Sequence, residues 1–182
     1  MKIKKIISFV LVLLFSACAT TTISSNFDKS FNQKINKVFV VVSTSPIISE
    51  IQPVNNLRSE NLASLLSSEL VSSFHNINVR SSSYSITGLE LSKDDVDSKI
   101  NEYSPDAVLV LKQSDALLHV YGGITKIIFQ GELIDSNSEK LIWKGIVTTN
   151  GNNYPISVDK ISASISKEIF KRFQEDGVIF SD

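Results

Sequence analysis

Ala107-Val108-Leu109-Val110-Leu111 is an unbroken apolar run with Pro105 just before it and Gly122-Gly123 further on. A continuous run of this kind suits a strand buried on both faces, near the centre of a sheet. The strand, or a continuation of it, is expected to run through Ala116 to Tyr121. Gly122-Gly123 then signals a hairpin, because both residues tolerate positive φ. Two further strands are expected at about 124–134 and 140–149. Along them, Leu141, Trp143, Gly145 and Val147 share one face, as do Ile127, Phe129, Gly131 and Leu133. A five-residue turn over 135–139 pairs Leu133 with Leu141. That register sets Gly131 opposite Trp143 and Phe129 opposite Gly145, so each ring covers bare backbone. A slip of one residue would lose the match.

Working outward toward the N-terminus, Val38-Phe39-Val40-Val41-Val42 reads as a second buried strand. Leu57, Leu62, Leu65, Leu66, Leu70 and Phe74 recur at helical spacing and predict an amphipathic helix over 56–74. His75-Asn76 ends it, and Ile77 to Ser82 alternates as a short strand. Ser92 is placed to cap a second helix, with Asp94 and Asp95 favourable near its positive end. Val96, Ile100 and Tyr103 form its apolar face, and Pro105 closes it. Ser157 is placed to cap a last helix with Val158, Ile161, Ile165, Ile169 and Phe173 on its inner face. Gly177 lies where the chain leaves that helix. The 182 residues leave room for one domain. The fold class is α+β: a single domain over 37–182 with a mixed β-sheet in the order β-α-β-α-β-β-β-α.

The chain begins differently. Lys2, Lys4 and Lys5 precede an apolar run, Ile6 to Phe15, and Ser16-Ala17 supplies small residues before Cys18. Basic, apolar, then small is the order of a secretory signal peptide, here 1–17. The apolar run is shorter than the roughly 20 residues a membrane-spanning helix needs. Leu14-Phe15-Ser16-Ala17-Cys18 resembles the lipobox of bacterial lipoproteins. The resemblance implies that Cys18 carries the lipid anchor and becomes the first residue of the mature chain. Two or three acyl chains, at about 0.8 kcal/mol per buried CH₂, hold far more firmly than one. Ala19 follows where an aspartate would stand in retained lipoproteins. By the same resemblance the protein is exported to the outer membrane and faces the periplasm. Ala19 to Asn36, rich in Thr, Ser and Asn, reads as a flexible tether of the lipidated segment 18–36. Phe27 and Phe31 are the residues through which it would dock on the domain instead.

Composition narrows the partners. With 18 Lys+Arg against 19 Asp+Glu, the chain lacks the basic excess that phosphate backbones require, so nucleic acid is not expected as a partner. Removal of the signal peptide takes away three lysines and no acids, leaving a mildly acidic protein. One cysteine excludes an internal disulfide framework. With only two histidines beside it, no metal site or cofactor is expected.

The order of elements and the ending resemble a family of small bacterial lipoproteins. It includes the curli-pore lipoprotein and the lipoprotein activator of a penicillin-binding protein, both related to the N-terminal domain of TolB. The resemblance rests on Lys37–Val42, Asn56–Phe74, Pro105–Leu111 and Gly131-Glu132-Leu133-Ile134-Asp135 with Leu141-Ile142-Trp143-Lys144-Gly145. It implies fold, and activity does not travel with fold.

The chemistry of catalysis is sparse. There is no G-x-S-x-G, P-loop, H-E-x-x-H or G-x-G-x-x-G pattern. His75 at a helix end reads as a favourable charge near carbonyls. Asp94, Asp95 and Asp97 lack the glycine and terminal glutamate of a calcium loop. No catalytic residue is assigned and the protein is expected not to be an enzyme. The surface worth naming is the outer face of the hairpin sheet, where a two-residue Gly122-Gly123 turn sets His119 opposite Lys126. Tyr121, Ile128, Gln130, Glu132, Ile142, Lys144 and Ile146 are grouped with them. This face is either a site for an envelope-protein partner or an oligomer contact, or it is covered by a helix. The function expected is a non-enzymatic accessory domain for an envelope protein or assembly. The alternative is an oligomeric secretion-channel component of the curli-pore type.

Overall fold

In the computed structural model, which describes residues 19–45, 59–87, 93–120, 122–178 and 180, the run at Ala107 lies where its composition places it. The strands are β1 (Thr20–Phe27), β2 (Lys37–Thr44), β3 (Arg80–Thr87), β4 (Ala107–Leu118), β5 (Ile124–Asp135) and β6 (Leu141–Asn150). The helices are α1 (Ser59–His75), α2 (Lys93–Tyr103) and α3 (Val158–Asp176). The strands form one mixed sheet in the order β1-β6-β5-β4-β2-β3. Strand β2 runs parallel to β3 and β4, and the other neighbours are antiparallel. From Lys37 onward the α+β order is the expected one.

Topology decides which face each helix covers. The crossover through α1 steps outward from β2 to β3, and the one through α2 steps back past β2 to β4. Crossovers of one hand that reverse direction put their helices on opposite faces. The packing follows this rule. On one face Val40, Leu109, Phe129 and Trp143 meet Leu66, Leu70 and Phe74 of α1 and Ile165, Ile169 and Phe173 of α3. On the other, Val96 of α2 packs with Phe39, Val41 and Val108, with Ile100, Tyr103 and Val110 at the margin. The helix faces expected for α2 and α3 are the ones used. Gly177 closes α3 at φ 86°, its N–H donating to the Phe173 carbonyl at 3.0 Å. The residues 46–58 and 88–92, including Leu57 and the expected cap Ser92, lie outside the described residues.

Three expectations are corrected. The tether does not hold from Thr20 on: residues 20–27 form β1, antiparallel to β6 from Thr20↔Asn150 to Phe27↔Trp143. Alternation explains it. Ile23 points inward and is buried, and the hydroxyls on the same face find partners. Thr21 Oγ1 lies 2.8 Å from Thr149 Oγ1 and 2.6 Å from Ser164 Oγ, and Ser25 donates to Asp176 Oδ2 at 2.5 Å. Further on, Ile35 is buried and bridges to Phe180. The folded body therefore already includes Ala19 and β1, before residue 37.

The third strand begins at Arg80, not Ile77, because Ile77 and Val79 belong to the exit from α1. Asn78 turns the chain at φ 59°, and Val79 N–H returns to the Phe74 carbonyl at 3.0 Å.

The hairpin register is shifted by two. Leu133 pairs with Trp143, Gly131 with Gly145 and Phe129 with Val147. Near the turn Ile134 pairs with Leu141, so Ile142 is an extra residue on β6. This bulge buries Ile142 and Trp143 in succession and leaves Leu141 45% exposed, although Leu141 was expected inside. The turn itself is held by Asp135, whose carboxylate accepts the Ser138 N–H at 2.9 Å.

Candidate functional site: the open sheet face

Outward residues of β1, β6 and β5 form a grid. Ser24 lies beside Ile146, which lies beside Gln130, which lies beside Lys112. One row toward the β4–β5 turn stand Thr22, Thr148, Ile128 and Asp115; one row away stand Asn26, Lys144, Glu132 and Val110. Among the described residues, the helix on this side, α2, packs over β2 and β4 and reaches no further than Val110. Over β1 and β6 the outward positions are mostly open: Ile146 is 50% exposed, and Thr20, Thr22, Ser24, Asn26 and Lys144 are exposed. Gln130 is exposed on β5, while Ile128, Ile134 and Lys126 are half-buried. Among the described residues, a helix thus covers the β2 side of this sheet face and none covers the hairpin side.

Most of the expected surface is assembled. Ile128, Gln130, Glu132, Lys144, Ile146 and Lys126 share the face, because a shift of two residues preserves the side on which each side chain projects. Lys144 Nζ meets Glu132 Oε1 at 2.8 Å. With both side chains exposed, the pair contributes little to stability and chiefly keeps the face polar. Two residues fall elsewhere. Ile142 is buried at the bulge. His119 does not lie opposite Lys126, whose partner is Leu117. The hairpin loop is longer than two residues: His119 N–H donates to Gly123 O at 2.9 Å, and Gly122 N–H donates to His119 O at 2.8 Å. Gly122 and Gly123 do take positive φ, 90° and 91°. Tyr121 and Cys18 lie outside the described residues.

The remaining chemistry is that of turns and helix ends. A cleft of about 200 Å³ beside the β5–β6 turn is lined by Asp28, Phe31, Asp135 and Lys140 among others. Its two carboxylates are occupied locally. The Ser30 hydroxyl and N–H hold the Asp28 carboxyl below the usual range, and Asp135 accepts from Ser138. Among the described residues no three His, Cys, Asp or Glu side chains gather as metal ligands, and no helix is long and apolar enough to cross a membrane.

Sequence reasoning missed a patch at the end of the sheet where β1 starts. Val120 is 84% exposed, Leu117 52% and Leu118 41%, with Tyr154 66% exposed in the neighbouring loop. The available signal was the run Ala116-Leu117-Leu118 leading into a glycine turn.

No family model matches the sequence, and no curated protein does either. Solved structures are similar in fold. The PelC dodecamer from Paraburkholderia phytofirmans superposes with a TM-score of 0.52 at 14% identity, over 85% of this chain and 98% of that one. The lipoprotein GNA1162 from Neisseria meningitidis gives a TM-score of 0.43 at 13% identity, over 76% of this chain and 98% of that one. What the chain shares with PelC, at that identity, is its fold.

Proposed function

We propose that the chain is a lipid-anchored protein of the cell envelope, held by Cys18 in the periplasm-facing leaflet of the outer membrane. There it serves as a non-enzymatic binding domain for another envelope protein or assembly. The observation that carries this reading is the open face of β1, β6 and β5. An amphipathic surface of isoleucines among Lys, Gln and Thr is suited to a partner that docks and leaves. The lipobox beside β1 supports the anchor. The test has two parts. Cys18→Ser should prevent acylation and move the protein out of the outer-membrane fraction. Photocrosslinking from Gln130 in envelopes should capture a distinct protein, whereas crosslinking from the buried Phe129 should not. The purified protein should hydrolyse no ester, peptide or glycan substrate; turnover lost in His119→Ala would overturn the non-enzymatic reading.

A second reading is favoured by one observation, the fold shared with a dodecamer. In it the open face or the edges of β1 and β3, outermost among the described strands, meet a second copy of this chain. Mass by light scattering in detergent separates the two: a monomer supports the docking domain, a closed ring the oligomer.

A further inference from the structure

The end of the sheet that carries β1's first residue also carries four of the exposed large apolar side chains among the described residues. Thr20 pairs with Asn150, Asn150 with Lys126, and Lys126 with Leu117. This row crosses the sheet in three strand spacings, about 14 Å. Beyond it project Leu118 and Val120 of the hairpin and Tyr154 of the loop after β6. Loop and hairpin are one body: Ile156 N–H donates to Ile124 O at 2.8 Å, and Pro155 sits so close to Gly123 that a Cβ there would lie 2.8 Å from it.

Order reaches almost to the anchor. Ala19 packs against the core and Thr20 is already in the sheet. Ala19 is bonded to Cys18, so the Cα atoms are about 3.8 Å apart. A loose tether of 18 residues would let the domain drift tens of ångströms from the bilayer. The structure removes that freedom, and acyl chains on Cys18 would hold this end of the sheet at the lipid surface. From 117 to 126 and from 150 to 157, the described residues include no acid, while Lys126 and His119 are present. The acids nearest in sequence, Asp115 and Asp159, each lie two residues outside the stretches that carry the patch.

We infer that Leu117, Leu118, Val120 and Tyr154 form a second membrane contact, resting in the same bilayer leaflet that holds the Cys18 lipid. The inference rests on the anchor of the proposed function and adds orientation to it. The aliphatic side chains enter the boundary between headgroups and acyl chains, and Tyr154 sits at headgroup level, as interfacial tyrosines do. The strands then stand on the membrane, with the β5–β6 turn roughly 40 Å away, twelve residues of β5 at about 3.3 Å each. The open sheet face is left upright and accessible from the periplasm.

The test uses the full acylated chain in vesicles of phosphatidylethanolamine and phosphatidylglycerol, 3:1. With Cys18 acylated, Val120→Cys supplies the free thiol for an environment-sensitive dye, and Asn137→Cys in the far turn is the control. The result expected is a blue-shifted dye at 120, quenched at least twofold by nitroxide-bearing lipids, and an unquenched dye at 137. A dye at 120 that stays in water on an acylated chain overturns the contact. A blue shift without lipid quenching overturns it too and gives the patch to a protein neighbour. Mass spectrometry of the same sample reads acylation separately: an unmodified Cys18 sinks the anchor reading and this orientation with it.

Discussion

Trp143 is the residue on which the hairpin half of the core turns. Its indole is fully buried, stacks edge-on against Phe173 at 4.9 Å and donates through Nε1 to Asp176 Oδ2 at 2.8 Å. It lies over two glycines that face each other across the strands. A Cβ on Gly145 would stand 2.5 Å from the ring and one on Gly131 3.0 Å from it. Truncation to alanine removes a large buried ring and leaves a cavity, so Trp143→Ala should cost on the order of 3–5 kcal/mol in denaturant melts. Gly145→Ala overpacks the same spot and should cost about 1–3 kcal/mol. The two glycine-side and ring-side effects share one space, so they should not add. In Gly145→Ala with Trp143→Phe the loss should be smaller than the sum of the singles by about 1 kcal/mol. Strict additivity would mean that the ring does not occupy the glycine site. The pairing of large ring with bare backbone was legible in the sequence, but its geometry was not. Regular pairing from a five-residue turn put one glycine across from each ring. The bulge at Ile142 instead puts both under one indole. The Ile142 carbonyl accepts the Asp28 N–H at 2.9 Å, a tertiary partner that local pattern does not encode.

Among the elements, β2, β4, α1 and α3 declare themselves because their buried sides are apolar and periodic. Strand β1 does not, for a physical reason. Its inward residues are Thr21, Ile23, Ser25 and Phe27, and two of those four are hydroxyls satisfied by Thr149, Ser164 and Asp176. Without those partners the segment reads as a polar leader. With them it covers the edge of β6 and ties the sheet to α3, where Arg172 also donates to the Ile23 carbonyl at 3.1 Å. The candidate face was legible to the same degree. Ile128, Gln130, Lys144 and Ile146 were placed correctly because side alternates strictly along a strand, and His119 was not because the hairpin loop is longer than two residues. If β1 is part of the fold, Ile23→Ala should cost about 2 kcal/mol or more. At about 2–4 °C per kcal/mol for a protein of this size, the melting temperature should fall by about 5 °C. A chain starting at Lys37 should fall further and self-associate, because the edge of β6 is then unpaired. Thermal melts and sizing of the two proteins decide it; equal melting temperatures would return 19–36 to the role of a tether.

At the scale of the whole molecule, the open sheet face has no structural task among the described residues. The sheet buries one face under α1 and α3 and part of the other under α2, and the outward side of β1, β6 and β5 contributes little to that core. Stability and binding should therefore separate there. Substituting Ile128 by aspartate would confuse the two, since Asp115 stands directly across and like charges in that position destabilise the pair. Ile128→Lys with Ile146→Asp avoids this. The new lysine faces Asp115 and Thr148, and the new aspartate lies between Ser24 and Gln130. Both changes remove apolar area worth about 25 cal/mol per Å² to anything docked on it. Ile146 is exposed, and at the half-buried Ile128 the aliphatic stem of lysine keeps much of the packing, so together they should shift folding stability by less than about 1 kcal/mol. The expected outcome is an unchanged melt within about 3 °C, together with loss of the envelope crosslink from Gln130. Unfolding of the double variant would mean that the face is covered, and a folded variant that keeps the crosslink would move docking off this sheet.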